Sequence, residues 1–219
     1  MKIAIVGAAG RMGKKLIELS SSEGLEVVSK VDVAEGYDKE WSAEVEGVID
    51  FSFHTCVPGY IEKAAQAGIP YVIGTTGLTP DEQAKVDAAT KLIPVVQSGN
   101  YSLGVNLMLN LVEQAAKTLN NGYEIEITEM HHKWKKDAPS GTAIMLAKAA
   151  GSTLPIHSLR GGSVVGDHTV MFAGELERLE ITHRAQDRAA FAAGALKALK
   201  WAAGKPSGIY TMRDVLGFK

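Results

Sequence analysis

The segment Glu129-Met130-His131-His132-Lys133-Trp134-Lys135-Lys136-Asp137-Ala138-Pro139-Ser140-Gly141-Thr142 holds the densest set of reactive side chains in the chain. Two histidines and three lysines follow an alternating run, and Pro139-Ser140-Gly141-Thr142 then opens a helix-like stretch. Histidine is the side chain best suited to give up a proton near neutral pH. Amides at a helix start form a ready anion site, and at Gly141 and Thr142 the lysines add positive charge to it. The combination fits a ligand that carries carboxylates and receives a proton. On an extended strand His131 and His132 face opposite ways, so at most one reaches a reacting atom while the strand persists. No third ligand stands at a recognisable metal spacing, so no metal is expected. The alternative is a solvated basic loop, which is what most charge runs are.

A second constellation lies at the start. Gly7, Gly10 and Gly13 separate a β-branched run, Lys2 to Val6, from a helical pattern beginning at Lys14. Glycines between a strand and a helix let the backbone turn tightly and approach a pyrophosphate resting on helix N–H groups. The spacing is G-x-x-G-x-x-G rather than the commoner G-x-G-x-x-G, but its place on the first strand–helix turn suits a dinucleotide. Asp32 closes the second strand candidate, Glu26 to Val31, roughly 20 residues beyond the loop, where an acid bonds the adenosine ribose hydroxyls. Val33 rather than an arginine follows it, so NADH is expected over NADPH, with Lys14, Lys30 and Lys39 leaving room for both. Gly74-Thr75-Thr76-Gly77 and Gln97-Ser98-Gly99-Asn100-Tyr101 follow later strand candidates. Both can face the same ligand from the sheet's carboxyl edge.

The elements that must position these groups follow from periodicity. Val48 to Ser52, Tyr71 to Ile73 and Ile93 to Val96 read as buried strands. Thr55 is placed to cap a helix that ends at Ala67, with Gly68 as its stop. Thr79, Pro80 and Glu82 form a capping box that opens the next helix. Strand and helix in this rhythm give a parallel sheet covered on both faces. After Asn100 the rhythm breaks. A helix is expected from Leu103 to Leu119, then an alternating strand from Tyr123 to Met130. Further strands follow between Val164 and His183, with a closing alanine-rich helix from Arg188 to Ala203. Residues 1–102 with 189–219 are therefore read as a dinucleotide-binding domain, and 103–188 as a substrate-binding and oligomerisation domain.

Composition narrows the functions. The 219 residues are 46% hydrophobic and 22% charged with a net charge of −2, which argues against a nucleic-acid partner. The lone cysteine, Cys56, allows no intrachain disulfide and is read as a small buried hydrophobe in a reducing, cytoplasmic setting. No uncharged apolar run is long enough for a bilayer.

The glycine loop, Gly74-Thr75-Thr76-Gly77, Asn100-Tyr101-Ser102 and above all His131-His132 with Lys135-Lys136-Asp137-Ala138-Pro139-Ser140-Gly141-Thr142-Ala143 closely resemble the 4-hydroxy-tetrahydrodipicolinate reductase family, long called dihydrodipicolinate reductase. Leu179 to Ala185 and Met212 to Leu216 add to the likeness, which spans the chain. The resemblance implies an α/β protein with a Rossmann-like parallel-sheet domain and a smaller mixed-sheet α+β domain, assembled as a homotetramer. It implies reduction of a cyclic precursor to tetrahydrodipicolinate with NADH or NADPH, in lysine and diaminopimelate biosynthesis. By position, His131 would be the proton donor and Lys135 a substrate-binding cation, while His132, Ser140, Gly141 and Thr142 would hold substrate carboxylates. Gly7, Arg11 and Met12 would line the pyrophosphate, Asp32 the ribose, and Gly74, Thr76 and Tyr101 the nicotinamide. Gly10, Gly13, Phe51, Thr75 and Gly99 complete the expected coenzyme set. Two departures accompany the likeness: the second domain has abbreviated loops, and the arginine found after the acid in members using both coenzymes is missing. Two other readings stay open at this point. One is a reductase of another small molecule, and the other is a redox sensor that binds NADH without catalysis.

Overall fold

The computed structural model describes residues 1–119, 122–151 and 153–218. Asn120, Asn121, Ser152 and Lys219, all within the expected domains, lie outside them. The strands and α-helices run in the order β1 (Lys2–Val6), α1 (Arg11–Ser20), β2 (Glu26–Val31), β3 (Gly47–Asp50), α2 (Val57–Ala67), β4 (Tyr71–Ile73), α3 (Pro80–Ala89), β5 (Pro94–Gln97) and α4 (Leu103–Thr118). They continue as β6 (Glu124–His131), α5 (Gly141–Ala149), β7 (Ile156–Arg160), β8 (Gly166–Ala173), β9 (Arg178–Ala185), α6 (Ala189–Ala202), β10 (Gly208–Tyr210) and α7 (Met212–Leu216). The chain divides into two compact units, Met1–Ser102 with Phe191–Lys219, and Leu103–Ala190.

The first unit is built on a six-stranded parallel sheet in the order β10-β5-β4-β3-β1-β2. Its central strands β1, β3 and β4 are short and largely buried on both faces, as a doubly covered sheet requires, while the edge strands β2 and β10 are partly exposed. On one face Ala4, Val6, Val48, Tyr71, Ile73 and Val95 pack with Val57, Ile61 and Ala64 of α2 and Val86 and Ala89 of α3. Ile3, Ile5, Ile49, Val72 and Val96 alternate with them and are fully buried. Gly47 of β3 meets Leu199 of α6 on that second face. The strand order reverses between β1 and its neighbours β2 and β3, the place where ligands sit in open α/β sheets. Thr79 and Glu82 form the expected capping box on α3.

The second unit has a four-stranded mixed sheet, β7-β6-β8-β9, with β6 and β7 parallel and the remaining pairs antiparallel. Every second residue of β8 is buried, as period-two patterning demands. Ile127, Val170 and Phe172 pack with Met108 and Val112 of α4 and Ala143, Leu146 and Ala147 of α5. The expected Rossmann-like and mixed-sheet architectures are both present. Among the described residues no helix is long and apolar enough to cross a membrane.

Three local expectations are corrected. Thr55 does not cap α2, because a 3-10 turn over His54–Cys56 intervenes and the helix starts at Val57 with Pro58 in its first turn. The third strand stops at Asp50 rather than Ser52, because the Asp50 carboxylate takes the Ser52 N–H at 2.8 Å and turns the chain. Cys56 is half-buried, not a core residue, because it follows that turn at the sheet edge.

Candidate active site

The glycine loop is shaped by two close approaches. Gly7 has a φ of +80°, and a side-chain carbon there would stand 2.3 Å from the Phe51 carbonyl oxygen. One on Gly13 would stand 2.3 Å from the Gly7 carbonyl oxygen. Glycine at these positions lets β1 turn beside β3 and lets α1 press against the loop. Gly10 precedes α1 without any side-chain cap, so the unsatisfied N–H groups of the first turn offer an anion site beside exposed Arg11.

Three clefts converge on Phe51. One of about 390 Å³ is lined by Gly10, Arg11, Met12, Phe51, Gly74, Thr75 and Thr76, joined by Phe53 and His54. A second of about 230 Å³ lies between Gly7, Gly10, Asp32 and Phe51, with Val33, Cys56 and Tyr60. A third of about 220 Å³ is bounded by Met12, Phe51, Gly74, Gly99 and Tyr101. Of the expected coenzyme set only Gly13 lines none of the three; it packs beneath the loop instead. The space left by absent side chains, the open helix start and the acid at the rim together fit a dinucleotide.

The rim acid is held by backbone. Asp32 accepts the Ala9 N–H through one carboxylate oxygen and the Ala34 N–H through the other, each at 3.0 Å. Val33 beside it is 88% exposed. The Lys39 ammonium donates to the carbonyls of Asp32, Val33 and Ala34 at 3.3, 2.9 and 3.1 Å.

Two of the expected contacts turn inward. The Thr75 hydroxyl donates to buried Asp50 at 2.9 Å and accepts the Ser52 N–H, so it builds the wall. The Tyr101 hydroxyl reaches the carbonyls of Ile73 (2.7 Å) and Val96 (3.0 Å), while its ring meets Phe51 edge-on at 5.8 Å. Asp50, not singled out from sequence, organises this wall. Burial pushes its carboxyl above the usual range, against the hydrogen bonds it receives from Ser52, Tyr71 and Thr75.

In the second unit, β6 carries Ile127, Glu129 and His131 on one face. The apolar core around Ile127 gives way to a polar cluster at the strand's end. Glu129 is fully buried. Its oxygens lie 2.9 and 2.8 Å from the two terminal nitrogens of Arg160, 2.5 Å from His131 Nδ1 and 3.2 Å from the Ser140 amide. Burial alone would push the Glu129 carboxyl up, but Arg160, Ser158 and His131 bring it down to about 2. His131 is held below its ordinary value, chiefly by burial and against the pull of Glu129. His168 on β8 meets the His131 ring at 5.2 Å, edge to face. Burial and the His131 charge bring His168 to about 4.

Ser140 is 2% exposed and is committed to the fold. Its oxygen caps α5 by accepting the Ala143 N–H at 3.2 Å, and the same oxygen lies within hydrogen-bond distance of His168 Nε2 at 3.0 Å. Gly141 and Thr142 begin α5 itself. Lys135 pairs with Asp137 at 2.8 and 2.7 Å. His132 lies beyond the strand end, 5.8 Å from the Trp134 ring, and its buried Nδ1 has no hydrogen-bond partner among the described residues. No group of three His, Cys, Asp or Glu side chains is placed to hold a metal among those residues. Glu129, Arg160 and His168 were not selected from sequence. Period two puts Glu129 on the face of His131, but the pairing with Arg160 comes from the parallel strand β7.

Residues 1–101 match the family model described as dihydrodipicolinate reductase, N-terminus, and residues 104–216 match its C-terminus counterpart. A 4-hydroxy-tetrahydrodipicolinate reductase from Rhodopseudomonas palustris (strain BisA53) is 42% identical, with 99% of this chain and 97% of the relative covered. Another, from Anaeromyxobacter dehalogenans (strain 2CP-1), is 42% identical over 100% of this chain and 98% of its own. The first alignment runs over 264 residues, more than the 219 of this chain, so that relative has internal segments this chain lacks. Among solved structures, a dipicolinate-bound dihydrodipicolinate reductase from Paenisporosarcina sp. TG-14 superposes with a TM-score of 0.81. It is 22% identical and covers 96% of this chain and 97% of its own, a likeness of fold.

Proposed function

The chain belongs to the dihydrodipicolinate reductase family, and on that premise we propose that it reduces 4-hydroxy-tetrahydrodipicolinate to tetrahydrodipicolinate in lysine and diaminopimelate biosynthesis. It is an oxidoreductase that uses a pyridine nucleotide. When bound, the reduced nicotinamide supplies the hydride, to an electron-poor ring carbon. The first unit binds the coenzyme, with the α1 start at its pyrophosphate, Asp32 at its ribose, and Gly74, Thr76 and the Tyr101 ring at its nicotinamide. NADH is preferred, because Asp32 presents a carboxylate with no guanidinium beside it and Lys39 is occupied with backbone carbonyls. A 2′-phosphate placed there would meet like charge.

The second unit binds the substrate and builds the subunit contacts of a homotetramer. As negative charge develops on the substrate, His131 gives its proton to the enamine-like carbon and Lys135 exchanges Asp137 for the developing charge. His132 and the start of α5 at Ser140, Gly141 and Thr142 orient the carboxylates. For Ser140 that role passes through the cap it provides, since its hydroxyl is engaged with His168. Fixing reactant geometry can contribute on the order of 7–11 kcal/mol at best. The observation that carries the reading is a buried imidazole held by a carboxylate in the same unit as a lysine and a helix start. In this reading the enzyme is cytoplasmic, with neither nucleic-acid nor membrane partners.

The test is coenzyme oxidation, followed by the loss of the reduced nicotinamide's absorbance, with the freshly generated cyclic intermediate as substrate. Turnover with that acid and none with sugars or simple aldehydes is expected. NADH binding without turnover of the acid would return the protein to a sensor.

A further inference from the structure

The catalytic reading uses His131 but leaves a buried ion pair beside it unexplained. Glu129 is wholly inside the protein, where an unpaired carboxylate would be costly, and each of its oxygens accepts two donors. Oxygen Oε1 takes Arg160 and the Ser140 amide. Oxygen Oε2 takes Arg160 and the imidazole. Three strands bring these groups together: Glu129 and His131 from β6, Arg160 opposite His131 on β7, and His168 opposite Glu129 on β8. If the pair served only to fasten β6 to β7, its contacts would not need to include an imidazole.

The opposite side of the ring is equally specific. Gly166 starts β8 with no left-handed backbone angle, so its conformation does not call for glycine. A side-chain carbon there would stand 2.9 Å from His131 Nε2. What the missing side chain provides is room at that nitrogen. Arg160 also donates to the Asp137 carbonyl at 2.6 Å, so one guanidinium ties the imidazole's partner to the loop that carries Lys135. The charged and titratable groups around the ring are Glu129 on β6, Arg160 on β7, His168 on β8 and Lys135 in the loop.

We propose that Glu129 and Arg160 are positioning residues for the proton that His131 delivers: Glu129 takes the Nδ1 proton, Arg160 holds Glu129 in place, and Nε2, kept clear by Gly166, is the delivering atom. The proposal rests on His131 being the proton donor of the reaction above. In the step, the Nε2–H bond breaks, a C–H bond forms on the reduced substrate, and the neutral ring keeps its Nδ1–H on Glu129. This is the general arrangement in which a buried carboxylate fixes the tautomer of an acid–base histidine.

Glu129→Gln should lower kcat by at least about 10-fold, part of the roughly 10²–10⁴ a general acid contributes. It should also move the basic limb of the kcat profile to lower pH, because the carboxylate that raises His131 is gone, and leave coenzyme affinity unchanged. Gly166→Ala should lower kcat with the fold intact. Wild-type kcat with an unmoved limb in Glu129→Gln, or wild-type kcat in Gly166→Ala, would overturn the proposal. Nitrogen-15 NMR of histidine-labelled wild-type protein tests it even if the first variant does not fold. A neutral His131 protonated on Nδ1 supports the assignment, and one protonated on Nε2 overturns it. That measurement needs no turnover. A wild-type protein inactive on the cyclic acid would therefore count against the functional reading while leaving the tautomer assignment to stand or fall separately.

Discussion

Tyr71 donates its phenolic hydroxyl to the buried carboxylate of Asp50 at 2.6 Å, from β4 to the end of β3. The same carboxylate accepts the Ser52 amide and the hydroxyls of Ser52 and Thr75, so it fixes the turn that presents Phe51 to all three clefts. Removing one donor from a buried acceptor costs about 1–3 kcal/mol. Tyr71→Phe should therefore lower Tm by several degrees and raise the KM for coenzyme, with the KM for the acid substrate little changed. Calorimetry and steady-state kinetics check this; equal effects on both KM values would contradict a role confined to the coenzyme wall.

His168 makes stability depend on pH. Its folded value is about 4, below the ordinary 6.5, because it is buried beside His131. The native protein therefore prefers the neutral ring, whose Nε2 pairs with the Ser140 hydroxyl at 3.0 Å. Its contribution is complete above pH 6.5 and is lost as pH falls toward 4, since the unfolded chain takes up the proton first. The amount is on the order of 3 kcal/mol. The Tm of the wild type should drop through that window more steeply than that of His168→Asn. Identical slopes would show that His168 does not carry this linkage.

Pyridine-2,6-dicarboxylate offers two carboxylates to Lys135, His132 and the start of α5 without a reducible bond of the right kind. Competitive inhibition against the acid substrate is expected. Failure to compete would mean that these residues do not form the carboxylate clamp.

The proposed coenzyme choice rests on Asp32. With its carboxylate fixed by the amides of Ala9 and Ala34, kcat/KM should favour NADH. A tenfold preference for NADPH would show that Lys39 or another cation leaves its backbone partners to meet a 2′-phosphate.

The parts of this molecule that were legible in the sequence are those whose cause is local. The glycine loop, the acid after β2, the Thr79–Glu82 capping box and the alternation of β6 each rest on neighbours a few residues away. Thr55 misled because helix α2 is entered through a 3-10 turn, and Pro58, not a side-chain cap, marks its first turn. Strand β7 was not legible, since its residues are exposed or half-exposed without alternation. With it went Arg160, whose importance arises from parallel pairing with His131 across 29 residues of chain. Three-residue β10 owes its existence to β5 alone among the strands. Glu129 was visible as a neighbour of His131 at the right spacing, yet only folding shows that its carboxylate is buried. In the same way, Tyr101 and Thr75 were placed near the coenzyme by position, whereas their hydroxyls point into the fold.

The most direct test of the account is His131→Gln measured beside the wild type, with coenzyme affinity determined separately by fluorescence titration. The account predicts a kcat lower by roughly 10²–10⁴, the usual contribution of a general acid, with coenzyme affinity nearly unchanged. A His131→Gln enzyme that turns over at the wild-type rate would remove this imidazole from the chemistry.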